Sequence, residues 1–202
     1  MSTRTQTYSG KIFNLLVPTA AQIDIRDIAK HLSRINRFSG ATTHPYSVAQ
    51  HSVLVCAIAT EISNSPLTGL YGLIHDAHEA YVGDIPSPVK RALESHLTEF
   101  NRFWDSLTDN IDKAVRKKIN LPVFISDKER ELVQRADLIA LATERQLIMA
   151  PGDDWGLSEK PWSAIGDLPP LTPEEAEALF LSTFKKTLSV VSFWANNAVV
   201  AL

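Results

Sequence analysis

Four residues of this chain are of the types that hold a divalent metal, and they are spread as a histidine, a His-Asp doublet and an aspartate: His51, His75-Asp76 and Asp137. The intervals are 24 residues from His51 to His75 and 61 from Asp76 to Asp137, so the three parts fall on different predicted helices. Two imidazoles and two carboxylates make a mixed nitrogen and oxygen set with room for water, unlike the closed thiolate-rich sets of structural zinc. The ions expected for it are Co²⁺, Mn²⁺ or Zn²⁺, with Fe²⁺ and Mg²⁺ as further candidates. Taken singly, each residue has an ordinary reading: His51 as a core histidine bonded to a carbonyl, Asp137 as a surface or capping residue, His75-Asp76 as an exposed helix end. The combined pattern is what points to metal chemistry. As consecutive residues of a helix, His75 and Asp76 would diverge by about 100° and need neighbouring helices to complete the shell. Glu79, at i+4 from His75, shares its helical face one turn on and can stand near an ion without occupying it. His78 lies about 60° off that face and is a candidate to support the ligands. The order of these residues does not fit the zinc-protease helix motif, which needs His at i and i+4 with Glu after the first.

The elements that must position these residues read as helices. Ile25, Ile28, Ala29, Leu32 and Ile35 recur at helical spacing after the capping residue Asp24. Ser47 and Gln50 form a capping box before a run carrying Val48, His51, Val55, Ile58 and Ile62 to about residue 63. Ser65-Pro66 opens the next helix, with Leu70, Leu73 and Ile74, and the doublet is expected in its last turns. Pro86 and Pro88 stop helical continuation and define a loop after Gly83. Residues 89–119 read as one long helix or two, with Leu93, Leu97, Phe100, Trp104, Leu107, Ile111 and Val115 on the inner stripe. Ser126 and Glu129 form a second capping box, opening a helix whose inner face is Leu132, Val133, Ala136, Ile139, Ala140 and Thr143, with Asp137 beside it. Residues 150–170, rich in Pro, Gly, Trp and Asp, form an ordered surface excursion, and Thr172-Pro173 starts a last helix. The weak strand candidates are 11–17 and 190–194. The expected class is all-α, one domain over 1–202, with the motifs within about 24–145.

Composition bounds the function. Net charge −3 comes from 20 basic and 23 acidic residues spread along the chain, with no polybasic arm to neutralise a phosphate backbone, which argues against duplex nucleic acid as a partner. No run of apolar residues is long enough to span a membrane. Cys56, the single cysteine, excludes an intrachain disulfide and fits a reducing compartment, so a cytoplasmic location is expected. His31, His44 and His96 are read as surface or structural, Trp104 as core, and Trp155 and Trp162 as packing anchors or oligomer contacts.

Beyond His51, His75-Asp76 and Asp137, two longer stretches carry a resemblance: 31–38, His-Leu-Ser-Arg-Ile-Asn-Arg-Phe, and 75–90, His-Asp-Ala-His-Glu-Ala-Tyr-Val-Gly-Asp-Ile-Pro-Ser-Pro-Val-Lys. The chain resembles the HD-domain metal-dependent phosphohydrolases, in the branch of bacterial 5′-deoxynucleotidases and phage deoxyadenosine triphosphohydrolases. The resemblance implies a compact helical bundle and a metal held by His51, His75, Asp76 and Asp137. It implies that Glu79 handles the proton of the attacking water and that Arg37 binds phosphate. Phe38 then lines the sugar pocket, where an aromatic ring packs on C2′ and crowds out a ribose hydroxyl, and Asp84 bonds the sugar or assists at the metal. Lys90 could neutralise an extended phosphate chain. The basic residues Lys30, Arg34, Arg37, Lys90 and Arg91 tilt the expectation toward a deoxynucleoside triphosphate, with dATP giving deoxyadenosine and triphosphate; release of phosphate from deoxynucleoside monophosphates is the alternative. A non-catalytic nucleotide-binding module of this fold is the reading from another class. A homo-oligomer, dimer or hexamer, is expected, in the host cytoplasm if the chain is phage-encoded.

Overall fold

The computed structural model describes residues 3–198, and among them the order of elements is β1 (Arg4–Gln6), β2 (Ile12–Asn14), α1 (Ile25–Leu32), α2 (Val48–Ser63), α3 (Pro66–Leu73), α4 (Glu79–Val82), α5 (Ser87–His96), α6 (Phe100–Lys118), α7 (Asp127–Ile148) and α8 (Pro173–Ala198). The expected all-α class holds, the only sheet among these residues being the antiparallel pair β1–β2. Of the two strand candidates, the first shrinks to β2, while 190–194 lies inside α8, where the run continues the preceding helix.

Helix α2 is the axis of the bundle. Its residues are apolar almost all round, and a helix of that kind belongs inside: Val48, Ala49, Leu54, Val55, Cys56, Ile58 and Ala59 are all buried, with α3, α7 and α8 packed around them. The capping box is formed at its start, Gln50 N–H donating to Ser47 Oγ and Ser47 N–H to Gln50 Oε1. Helix α3 returns antiparallel to α2 and lies close because two glycines face it. A Cβ at Gly69 would meet Thr60 Oγ1 at 1.9 Å, and one at Gly72 would lie 3.1 Å from both Ala59 Cβ and the Val55 carbonyl oxygen. The contacts step from Thr60 to Ala59 and Val55 as α3 advances, so the next turn of chain, at His75, arrives opposite His51.

Residues 36–47 form a loop closed at its base by a bridge between Asn36 and Ser47, with Arg37 N–H donating to the Tyr46 carbonyl at 2.9 Å. This closure ties Arg37 to the start of α2. The hairpin covers the far side of the core, Phe13 stacking on Tyr81 at 3.8 Å, while Asp27 of α1 accepts bonds from Ser9 N–H and Oγ–H. The 89–119 stretch is two helices, α5 and α6, broken between His96 and Phe100. Ile111 and Val115 are core, but Leu97 is exposed and Trp104, expected in the core, is only partly covered, stacking on Phe100 with Lys90 Nζ 5.5 Å from its ring. No helix among the described residues is long and apolar enough to cross a membrane.

Candidate metal centre

The doublet is not in a helix. Helix α3 ends at Leu73, and residues 74–78 are turns before α4 begins at Glu79. The expected 100° divergence therefore does not apply, and in the turn the two side chains meet: His75 Nε2 is 3.1 Å from Asp76 Oδ2. His51, from the first turn of α2, brings its Nε2 to 3.5 Å from Asp76 Oδ2 and 3.1 Å from Asp137 Oδ1 of α7. His75 Nε2 is 3.8 Å from the same Asp137 oxygen. All four residues expected as ligands thus lie together, at the junction of α2, the 74–78 turn and α7.

The donor set fits a divalent ion. Both Nε2 atoms are buried without a hydrogen-bond partner although carboxylate oxygens approach within about 3 Å, the geometry of ligand atoms that face a common centre rather than one another. The ring orientation is fixed from behind. Gly72 O can only accept, so His75 Nδ1–H donates to it, at 2.7 Å. Glu144 Oε1 accepts from His51 Nδ1–H at 2.7 Å. With Nδ1 protonated, each neutral imidazole presents the Nε2 lone pair, the arrangement metal-bound histidines use. His51, His75 and Asp137 offer one atom each within 4.8 Å of one another.

Electrostatics reinforce the cluster. Burial and Arg37 lower His51, but Glu144 and Asp137 outweigh them and its pKa is raised; Asp76 and Asp137 likewise lift His75 well above its usual value against its burial. Asp76 and Asp137 are lowered despite burial, by the two imidazoles. In this arrangement protons and a cation compete for the same Nε2 atoms. Glu79 behaves differently: burial, with Asp76 and Asp84 nearby, pushes it up to about 10, and its Oε2 is buried without a partner. Burial and Asp76 also raise Asp84, against Arg37, His51 and Lys90.

Glu144 was not singled out in the sequence. It is wholly buried on α7 between His51 and Arg37, whose NH2 donates to Oε2 at 2.9 Å, and the Arg37 charge together with the bond from His51 holds it ionised against its burial. The signal was present: Glu144 stands seven residues after Asp137 and four after Ala140, on the predicted inner face, where an acid needs a partner. Arg37 itself is nearly covered and keeps its Nε–H without a partner. Phe38 sits under the Arg37 guanidinium at 5.1 Å. His78 Nδ1 lies 3.2 Å from Asp112 of α6, and His78 also falls in a group with Asp76 and Glu79. Arg34, expected at the substrate, is drawn elsewhere: it pairs with Glu174 and Glu177 of α8, and Lys30 pairs with Glu177. His31 and His44 are structural, bonded to the carbonyls of Ala80 and Leu168, and His96 is exposed.

Residues 27–146, the span holding every one of these ligand candidates, match the YfbR-like 5′-deoxynucleotidase family. The chain belongs to this family. It is accordingly an HD-type phosphohydrolase, of a superfamily whose hydrolases bind a divalent metal. Two relatives show how far the likeness extends. The uncharacterised protein YfdR of Escherichia coli is 37% identical over 181 residues, 89% of this chain and 92% of the relative. An uncharacterised protein of Rhodobacter capsulatus is 34% identical over 146 residues, 69% and 70% of the two chains. The YfbR-like match ends just after Glu144, so the 149–171 excursion and α8 lie outside it, whereas the Escherichia coli relative covers most of that length.

Proposed function

We propose that this protein is a metal-dependent 5′-deoxynucleotidase that hydrolyses deoxynucleoside monophosphates to deoxynucleoside and orthophosphate. The observation that carries this reading is the convergence of His51, His75, Asp76 and Asp137 with the Arg37 guanidinium beside them. Those four residues would hold a divalent ion, which would supply Lewis acidity toward phosphoryl oxygen and make a neighbouring water easier to deprotonate. Arg37, with one edge on Glu144 and its Nε–H free of partners, donates to a phosphate oxygen while its charge is balanced from behind. Drawn back down from its raised pKa by the charge of a divalent ion beside it, Glu79 would be ionised, take the proton of the attacking water as the oxygen to phosphorus bond forms, and give that proton to O5′ as the bond from phosphorus to O5′ breaks. Phe38 covers C2′ of the sugar, and Asp84 bonds the sugar hydroxyl.

The preference for a triphosphate rested on a cluster of basic residues, and three of its five members have carboxylate partners: Lys30 with Glu177, Arg34 with Glu174 and Glu177, Arg37 with Glu144. Those partners leave the cluster less charge to offer a long anionic tail, which supports the monophosphate reading, as does the family description. The test is to load the purified protein with Co²⁺ or Mn²⁺, offer dAMP, dGMP, dCMP, dTMP, AMP and dATP, and separate orthophosphate, pyrophosphate and triphosphate. Orthophosphate from the deoxynucleoside monophosphates, with AMP slower, is expected. Triphosphate from dATP with the monophosphates untouched refutes the proposal.

A further inference from the structure

Phe38 and Ser39 both adopt left-handed backbone, φ 55° and 52°, although neither is glycine. Such a turn is disfavoured for residues with a side chain and persists only where the surroundings impose it. Here it folds the Phe38 ring back against its own neighbour, Arg37. On from Phe38 comes Trp155, from the excursion beyond the family match, with ring centroids 5.9 Å apart and planes tilted by 54°. Trp155 is held in turn by Arg145. The guanidinium lies 5.1 Å from the indole centroid and donates to the carbonyls of Ala150, Gly152 and Asp153. The turn carrying the indole is closed by Gly156 N–H on Asp154 Oδ1, with Gly156 at φ +62°. One continuous series therefore runs outward from the centre: Glu144, Arg37, Phe38, Trp155, Arg145. It begins wholly buried and reaches solvent at Trp155, which is 42% exposed.

We propose that Trp155 is a substrate-binding residue, on whose exposed ring the base of the deoxynucleotide stacks. This rests on the function proposed above. A 5′-deoxynucleotide presents phosphate, sugar and base in that order, and the series presents a guanidinium, an aromatic wall and a second, outer aromatic in the same order. The ring is held by its contacts with Phe38 and Arg145 while the residue stays 42% exposed, so little freedom is lost on binding. A stacking platform accepts any base, since each has a π-face; it selects for the presence of a base rather than for its identity.

The test compares Trp155→Ala and Trp155→Phe with the wild type, all metal-loaded. The probes are two phosphonates that cannot be hydrolysed, the 5′-methylenephosphonate of deoxyadenosine and its counterpart lacking the base, with Kd read by calorimetry. Trp155→Ala should weaken the deoxyadenosine compound by about 10- to 100-fold, the weight of one base–aromatic stack, leave the base-less compound unchanged, and be largely rescued by Trp155→Phe. Equal weakening of both compounds overturns the proposal, because Trp155 would then only prop Phe38. Unchanged affinity for both overturns it as well, and directs the base to the cavity that His75 and Asp137 share with Asp105, Thr108 and Gln134. Because binding is measured without turnover, a base-dependent affinity that Trp155→Ala abolishes, in a protein that hydrolyses no nucleotide, sustains the stacking role while sinking the nucleotidase reading.

Discussion

Replacing Glu144 by Gln changes no atom of the metal set, yet it should damage both the fold and the metal affinity. The carboxylate accepts two charge-assisted hydrogen bonds, from Arg37 at 2.9 Å and from His51 Nδ1–H at 2.7 Å, in full burial. A glutamine has one oxygen to offer, so whichever donor keeps it, the other faces an NH₂ group; one such bond is worth about 1.5–3 kcal/mol. Arg37 is also left as a covered cation without its counter-charge, and breaking a buried pair in this way costs about 3–5 kcal/mol. The second cost contains the first, so a loss of about 3–5 kcal/mol in unfolding free energy is expected, seen as a fall of roughly 10 °C in Tm for a chain of this size. Metal affinity should drop by about 10- to 100-fold, because the His51 ring loses the group that fixes its tautomer and orientation. Urea unfolding measures the first effect and competition with a chromophoric chelator the second. The double variant Arg37→Met with Glu144→Gln tests the assignment: with the stranded cation gone, stability should recover, and with the amide oxygen left to His51 Nδ1–H alone, part of the metal affinity should return with it. A stable Glu144→Gln protein with wild-type metal affinity refutes the reasoning.

Other consequences are equally open to measurement. Gly72→Ala gains about 1 kcal/mol of helix propensity, but the new Cβ presses on the Val55 carbonyl, which cannot rotate away, and overpacking of this kind costs about 1–3 kcal/mol. A net loss in urea titration, with weaker metal binding as His75 shifts, is expected; a stabilised variant contradicts the close approach. Metal affinity should rise with pH through the neutral range and fall as pH drops, since an ion must displace protons from His51 and His75, both held above the usual value of about 6.5. Calorimetric affinity that does not change between about pH 6 and 9 would count against it. Arg34→Ala should leave turnover within about twofold, its partners being the exposed Glu174 and the partly covered Glu177 of α8, pairs worth at most ~1 kcal/mol each, whereas Arg37→Ala should lower kcat/KM by about 100-fold or more; equal effects of the two would return Arg34 to the substrate.

The class, most helix starts and the ligand candidates were legible because each rests on a local rule. Ser47 with Gln50 and Ser126 with Glu129 cap where their spacing says they should, and periodicity alone put His51 on the inside of a helix. What was not legible depends on tertiary partners. The 74–78 turn follows from no proline or strong breaker, so the doublet read as helical, and its convergence on one oxygen set could not be foreseen from a wheel. Glu144 belongs to no motif, and its only signal in the sequence is an acid on an apolar stripe, whose partners Arg37 and His51 come from elsewhere in the chain. Arg34 and Lys30 looked available for phosphate because their partners, Glu174 and Glu177, are some 140 residues further along the chain. Trp155 meets Phe38 only once the excursion has folded back, a contact without any local signature.

The most direct test of the account is Glu79→Gln, with metal content and turnover measured on the same sample. In the proposed function Glu79 would stand beside the ion without holding it, so the variant should keep the wild-type metal content while hydrolysis of deoxynucleoside monophosphates falls by about 10²–10⁴-fold, the usual weight of a general base. Full turnover, or loss of the metal along with the activity, would contradict the account.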